Sequence, residues 1–497
     1  MNASGVGSDD PILLVAYPVR LEDDCACPES PRVLTVEASA FENDCACPQA
    51  APSLLLRSTP TLYRQVEQAY VEETLPHAFR LLLSPYAPQG PVVVNAAAWA
   101  RWQHFQQPQP LSEPVDFCLA EQALLWPVNV PVRFPSSRLQ TLTVWLHVTN
   151  ACNLDCPYCY VRKSSAHMRE EIGLQALRQV FQTAHKRGFQ SVKLKYAGGE
   201  ATLHFGLLRK LATVAQKLAL ETGQRLEQVI LSNGTLLKAD DILWMLDNDV
   251  RLMISLDGLG EIHDRQRPTR SGRGSFERVR YVLEKIALPA GMRPFITVTI
   301  TRRNHNHIAE VVRWVLEREL PLSLNFYRQP LSSEGDLAAE EEALIQGMRA
   351  AYRVYEELLP PQPFLNGLLD RVKIGGHLHA CGVGSSYLVI THEGKIAQCQ
   401  MILEQATPPP QDGDLLTTVQ QGFIPLISVE QKTGCATCRY RYLCAGGCPL
   451  ETYRRTGRWD VPHPNCRIYK ALLPEALRLE GLRLLKVHGY LKASSLA

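Results

Sequence analysis

The hydrophobic pattern of the chain changes period repeatedly between Leu139 and Tyr327. TLTVWLHV (Thr141–Val148) is apolar and β-branched and reads as a strand. Ile172, Leu174, Leu177, Val180, Phe181 and Ala184 then recur at helical spacing, and Gly188 supplies a stop. Further strands are predicted at Ser191–Tyr196, Gln228–Ser232, Arg251–Leu256, Pro294–Thr301 and Leu322–Tyr327. Helical patterns lie between them, near Leu203–Thr222, Ala239–Asp247, Ser275–Leu288 and Ile308–Glu319. Strand–helix alternation of this kind predicts an α/β fold with a parallel sheet, and six units over residues 139–330 predict a partial or complete (β/α)6 barrel of TIM-like type.

The flanks read differently. Residues 1–60 are rich in Pro, Ala, Ser and acidic side chains and contain the near-repeat DDCACP (Asp23–Pro28) and NDCACP (Asn43–Pro48). Two copies are too few for a repeat array, and the stretch is expected to be flexible. Residues 61–135 predict an α+β domain. FRLLLSPYAPQGPVVVN gives two short strands around a Pro/Gly turn, Asn95 caps a helix through Trp99, Trp102 and Phe105, and a second helix runs around Asp116–Trp126. Residues 331–374 hold a connecting helix that stops at Pro360–Pro361, residues 375–470 are loop-rich, and an amphipathic helix is expected within 471–497.

Composition narrows the class. The chain has 497 residues, 45% hydrophobic and 21% charged, enough to bury a sizeable core. A formal charge of +2 argues against a protein held to nucleic acid by phosphate contacts. No apolar run approaches the roughly 18 residues of a membrane span, and MNASGVGSDD lacks the basic and apolar regions of a secretory signal. A cytoplasmic protein without membrane or nucleic-acid partners is expected. Fifteen cysteines are then the anomaly. The odd count forbids complete internal pairing, and clustered thiols in a reducing compartment more often bind metal or do redox chemistry. They form three groups: Cys25, Cys27, Cys45 and Cys47; Cys152, Cys156 and Cys159; and seven from Cys381 to Cys466, with Cys118 alone.

CNLDCPYCY (Cys152–Tyr160) spaces its thiols C-x3-C-x2-C just after the first barrel strand, on the face where parallel barrels place their chemistry. Three thiolates can hold a cubic iron–sulfur cluster and leave one iron open, although three buried thiols or zinc ligands share that spacing. AGGEATL (Ala197–Leu203), SNGTLL (Ser232–Leu237), ISLDGLGEIHDRQRP (Ile254–Pro268) and GRGSF (Gly272–Phe276) follow at successive strand ends. With these motifs in register, the chain resembles the radical S-adenosylmethionine (SAM) enzymes. The resemblance implies that Cys152, Cys156 and Cys159 hold a [4Fe–4S] cluster whose open iron is chelated by SAM. It further implies SAM contacts from Tyr158 near the adenine, from Gly198 and Gly199, whose backbone approaches the methionine part closely, from Glu200 to the ammonium, and from Ser255 and Arg267 to ribose or carboxylate. Ala201 stands where the family usually has Pro, a departure at a turn and not at a ligand.

The C-terminal spacing, Cys381, Cys399, Cys435-x2-Cys438-x5-Cys444-x3-Cys448 and Cys466, resembles the SPASM extension of that family, with a zinc ribbon as the structural alternative. The resemblance implies two auxiliary [4Fe–4S] clusters: an outer one on Cys435, Cys438, Cys444 and Cys466, and an inner one on Cys381, Cys399 and Cys448. Some relatives take a fourth inner ligand six residues after the first, where this chain has Tyr387. That leaves the place to a substrate thiolate, to water, or to a protein oxygen or nitrogen. The reading that follows is a radical SAM/SPASM maturase of a peptide or protein, with thioether formation as one outcome and a flavodoxin or ferredoxin as electron donor. Gln400, where sulfatase-maturing relatives carry an Asp, cannot take a proton as a carboxylate does and speaks against that branch. Residues 61–135 loosely resemble winged-helix domains that grip leader peptides through a strand edge, and a domain that only packs on the barrel is the alternative. The twin DCACP segments read as a solvated tail, a substrate-like peptide or metal ligands. A radical SAM enzyme of small molecules and a non-catalytic zinc scaffold complete the alternatives.

Overall fold

The computed structural model of the chain describes residues 10–15, 61–72, 75–87, 90–132, 134, 141–330, 337–373, 375–411 and 413–491. The four cysteines of the twin DCACP segments lie outside these residues. The described residues fall into two compact units, one of residues 10–15, 61–134 and 477–491, the other of residues 141–476.

The larger unit is built on one sheet. Its strands, in chain order, are β1 (Thr141–Thr149), β2 (Ser191–Gly198), β3 (Arg225–Ser232), β4 (Val250–Ser255), β5 (Phe295–Ile300), β6 (Leu322–Phe326), β7 (Tyr387–Ile390) and β8 (Ile396–Ala397). They lie in the order β6-β5-β4-β3-β2-β1-β7-β8. The first six pair in parallel and form the open barrel, each strand up to β5 leading into a helix before the next. All nine residues of β1 are buried, as a strand covered on both faces requires. The helix Glu170–Arg187 carries Glu170 and Glu171 in its first turn and His185, Lys186 and Arg187 in its last, each sign matching the end of the helix dipole. Gly188, at φ 76°, closes it in a left-handed conformation.

The sheet is wider than the sequence pattern predicts. YLVI (β7) lies within a stretch expected to be loop-rich, yet it pairs in parallel with β1, Tyr387 opposite Thr143, and β8 folds back on it antiparallel. Its partner strand is about 240 residues away in sequence, and a run of four apolar residues has no period that could reveal such a pairing. The cysteine-rich segment thus continues the barrel sheet.

In the smaller unit the strands Leu13–Val15, Val92–Val94, Arg80–Leu83 and Tyr70–Glu72 form an antiparallel sheet in that order. Leu13–Val15 belongs to the stretch expected to be flexible; it is instead an edge strand, held where Asn95 accepts from the Ile12 N–H at 3.0 Å. Asn95 also caps the helix Ala96–His104, accepting from the Ala98 N–H at 2.9 Å. Leu82, Val92, Val94, Trp102, Phe105 and Leu119 make the core of this unit.

Candidate active site

The three thiols of Cys152, Cys156 and Cys159 lie in the loop that leaves the carboxyl end of β1, and the ends of β2, β3 and β4 fix that loop. From β2, the Gly199 N–H donates to the Thr149 carbonyl and the Glu200 N–H to the Ala151 carbonyl, both at 2.7 Å. These bonds explain the two glycines: a Cβ on Gly198 would lie 2.3 Å from the Thr149 oxygen, and one on Gly199 2.3 Å from the Ala151 oxygen. The close approach inferred from the sequence is therefore, in this structure, an approach to the backbone that precedes the cysteines.

Glu200 is buried, and protein donors hold its carboxylate: Thr202 N–H and Oγ1–H at 3.1 and 2.6 Å, Ser232 Oγ–H at 2.9 Å, and Asn233 N–H at 2.7 Å. It ties the end of β2 to that of β3. From β3, Asn233 Nδ2 donates to Asn153 Oδ1, and Asn153 Nδ2 donates to Thr235 Oγ1, both at 2.8 Å, so the SNGT segment clasps the residue after Cys152.

The β4 end supplies a residue that the motif reading did not single out. Asp257 is buried; it accepts from Tyr158 Oη–H, forms an ion pair with Arg267 at 3.4 Å, and accepts from the Thr299 N–H at 2.8 Å. Arg267 also donates to Tyr158 Oη. Tyr158, between the second and third cysteines, is thereby locked to β4, with its hydroxyl engaged by protein. Half-buried Ser255 stands two residues before Asp257 at the strand end. An acid following a strand, in ISLDG, was the available signal for Asp257.

Burial pushes the thiols of Cys152, Cys156 and Cys159 above the ordinary cysteine value, and each raises that of a neighbour, so the three stand close together. Lys163, which donates to Asp155 at 2.7 Å, favours all three as thiolates. Among the described residues, no three His, Cys, Asp or Glu side chains form the ligand shell of a single ion. A cubic cluster puts each thiolate on a different iron, and the all-sulfur donor set of Cys152, Cys156 and Cys159 is of the chemical kind that holds one.

The C-terminal thiols gather into two sets. Cys381, Cys399 and Cys448 join one apolar cluster with Trp145 of β1, Ala197 of β2, Leu231 of β3 and Tyr160, the residue after Cys159. Cys435, Cys438, Cys444 and Cys466 act on one another electrostatically; burial and these neighbours push Cys444 up to about 12. Tyr387, in the place of an absent cysteine, donates its hydroxyl to Gln400 Oε1 at 2.6 Å, beside Cys399. Buried Lys432 and the cations Arg328 and Arg371 surround these thiols, and sequence reading gave them no role. Cys118 lies in the smaller unit.

A profile of the radical SAM superfamily matches residues 146–315, which hold all of the strand-end motifs just described. The sporulation killing factor maturation protein SkfB of Bacillus subtilis is 29% identical over 169 residues, 34% of this chain and 38% of that protein. The serine-type anaerobic sulfatase-maturating enzyme of Klebsiella aerogenes is 22% identical over 320 residues, 61% of this chain and 78% of the enzyme. Among solved structures, anSMEcpe with bound AdoMet and the Cp18Cys peptide superposes with a TM-score of 0.57 at 19% identity, covering 71% of this chain and 100% of that one. The fold is therefore that of the radical SAM enzymes, a family that uses SAM and a [4Fe–4S] cluster. No helix among the described residues is long and apolar enough to cross a membrane.

Proposed function

Residues 146–315 are a radical SAM domain, and from that premise we propose that the chain is a maturase that modifies a side chain of a peptide or protein, with a thioether crosslink as the product. The observation that carries this reading is the shared apolar cluster in which Cys381, Cys399 and Cys448 pack with Trp145, Ala197 and Leu231. It sets a second group of thiols beside the strand ends that hold the first.

Cys152, Cys156 and Cys159 are assigned as ligands of the SAM-binding cluster. Cys435, Cys438, Cys444 and Cys466 are assigned to an outer auxiliary cluster, and Cys381, Cys399 and Cys448 to an inner one. When bound, SAM and the cluster held by Cys152, Cys156 and Cys159 would supply one-electron radical chemistry able to remove a hydrogen atom from carbon. The protein's part is to hold the pieces. Tyr158 and Arg267, locked to Asp257, shape the wall beside Cys156. Gly198 and Gly199 seat the loop, and Glu200 and Ser255 line the strand ends where SAM would lie. Thioether formation removes one hydrogen atom from carbon, one proton from sulfur and one electron, and the auxiliary clusters are assigned the electron. The open fourth position of the inner set is the place for a substrate thiolate, which the site would hold next to the reacting carbon.

Residues 61–135 are assigned to leader recognition by addition of a strand at a sheet edge. SkfB, named for maturing a killing factor, supports the peptide class, and Gln400 speaks against sulfatase maturation. A flavodoxin or ferredoxin in the cytoplasm would deliver the first electron. The test is anaerobic reconstitution, with assay of reductive SAM cleavage and mass analysis of a cysteine-containing peptide co-expressed with the chain. Loss of two hydrogens that requires both the peptide cysteine and Cys152 supports the reading. SAM cleavage coupled to a small molecule, with every peptide unchanged, would overturn it.

A further inference from the structure

Lys432 is an ammonium buried in the cysteine-rich segment. Taking such a charge out of water is costly unless anions surround it, and here its direct hydrogen bond is to a neutral acceptor, the Gly446 carbonyl at 3.3 Å. The chain makes room for it at some cost to itself. Gly446, at φ 74°, is left-handed, and a Cβ there would lie 2.8 Å from Cδ and 2.9 Å from Nζ of Lys432. The AGGC turn between Cys444 and Cys448 is thus wrapped around this side chain.

Its position is between the two thiol sets. The Lys432 carbonyl accepts from the Cys435 N–H at 3.0 Å, at the start of the outer set. Its side chain lines one cavity with Cys381, Gly447 and Trp459, on the side of the inner set. Burial lowers the pKa of this amine, and thiols of both sets, Cys435 and Cys444, Cys448 and Cys381, oppose that fall and favour the charged form. Arg328 and Arg371, by contrast, act on the inner thiols.

We propose that Lys432 is the shared counter-cation of the two C-terminal cysteine sets, a positioning residue that stabilises the reduced form of the cluster on each. This rests on the assignment of clusters to those sets. A fixed positive charge near an iron–sulfur group favours the state that carries the extra electron, since net charge is one of the terms that set its potential. One ammonium between two such groups acts on both, which makes both better acceptors of the electron that the substrate gives up. Gly446 serves this arrangement by admitting the ammonium.

The experiment compares the wild type, Lys432→Met and Lys432→Arg as full chains, with iron and sulfide analysis first and then redox titration followed by electron paramagnetic resonance. A wild type that carries zinc and no iron beyond the SAM cluster would overturn the cluster assignment itself, a result distinct from failure of the lysine. With iron in place, Lys432→Met is expected to lower the ratio of reduced to oxidised form of both auxiliary clusters about tenfold at a fixed potential, equivalent to about 59 mV for one electron. The SAM cluster should not move, and Lys432→Arg should restore the wild-type values. Loss of iron from both C-terminal sets in Lys432→Met but not in Lys432→Arg would equally support a shared charge. Unchanged potentials, a change in one set alone, or the same loss in both variants would overturn it.

Discussion

The two thiol-bearing regions of the larger unit are built in opposite ways. Cys152, Cys156 and Cys159 come from one loop, which is braced by two 2.7 Å backbone bonds from Gly199 and Glu200, the clasp of Asn153, Asn233 and Thr235, and the lock of Tyr158 and Arg267 on Asp257. The seven thiols from Cys381 to Cys466 come from turns, short helices and the start of the long helix Cys466–Val487, anchored to the sheet by the brief strands β7 and β8. Around them stand buried Lys432 and the half-buried cations Arg328 and Arg371, Arg328 in an ion pair with Asp370. The first region is tied by hydrogen bonds to three neighbouring strand ends. In the second, the charge of what binds belongs to the structure, and such sites couple ligand binding to folding.

The largest effect that separates the two is expected from Cys152, Cys156 and Cys159 replaced together by Ala. Production of 5′-deoxyadenosine should fall to background while iron bound to the C-terminal sets is retained. Unchanged cleavage would break the distinction outright.

Removal of metal should do the reverse. Protein stripped with a chelator under anaerobic conditions is expected to become sensitive to proteolysis between residues 375 and 466, while residues 141–330 stay protected. Mass mapping of the first cleavage sites checks this. Early cuts within the Cys152 loop's own supporting strands would show that both regions depend equally on their ligands.

A smaller effect sharpens the claim that protein groups brace the first loop. Asp257→Asn keeps the shape but leaves the charge of Arg267 without its carboxylate, and breaking one side of a buried ion pair costs about 3–5 kcal/mol. Urea unfolding of the metal-free variant should show most of that loss. Reconstitution of the C-terminal clusters should be unaffected.

The smallest is a pH slope. His263 Nδ1 accepts from the Asp257 N–H at 3.2 Å, and burial pulls its pKa down from 6.5 to about 3. The unfolded chain therefore takes up the proton first. The stability it contributes is fully present above pH 6.5 and is lost as pH falls toward 3, by about 1.4 kcal/mol per unit. His263→Asn, which keeps an acceptor, should flatten the slope of unfolding free energy between pH 6 and pH 4 by that amount.

Much of this was legible in the sequence, and particular residues show where reading stopped. The six barrel strands stand where the apolar runs put them, and Asn95 and Gly188 cap their helices as their types imply, because these signals lie within a turn or two of the element they report. The cysteine spacings and the GGE segment were equally local. Asp257 was in view within ISLDG, but its half-buried partners Tyr158 and Arg267 are 99 and 10 residues away.

By itself the sequence determined the order of strands and helices, the parallel barrel, and the residue types available for chemistry, since period, caps and spacing act along the chain. Only the tertiary structure decided that β7 adds to β1, that Tyr160 and Trp145 pack with Cys381, Cys399 and Cys448, and that Lys432 lies between two thiol sets. Each of these joins segments far apart in sequence. Burial and charge act through space, and nothing in a local pattern of apolar and polar positions records which distant surface will cover it.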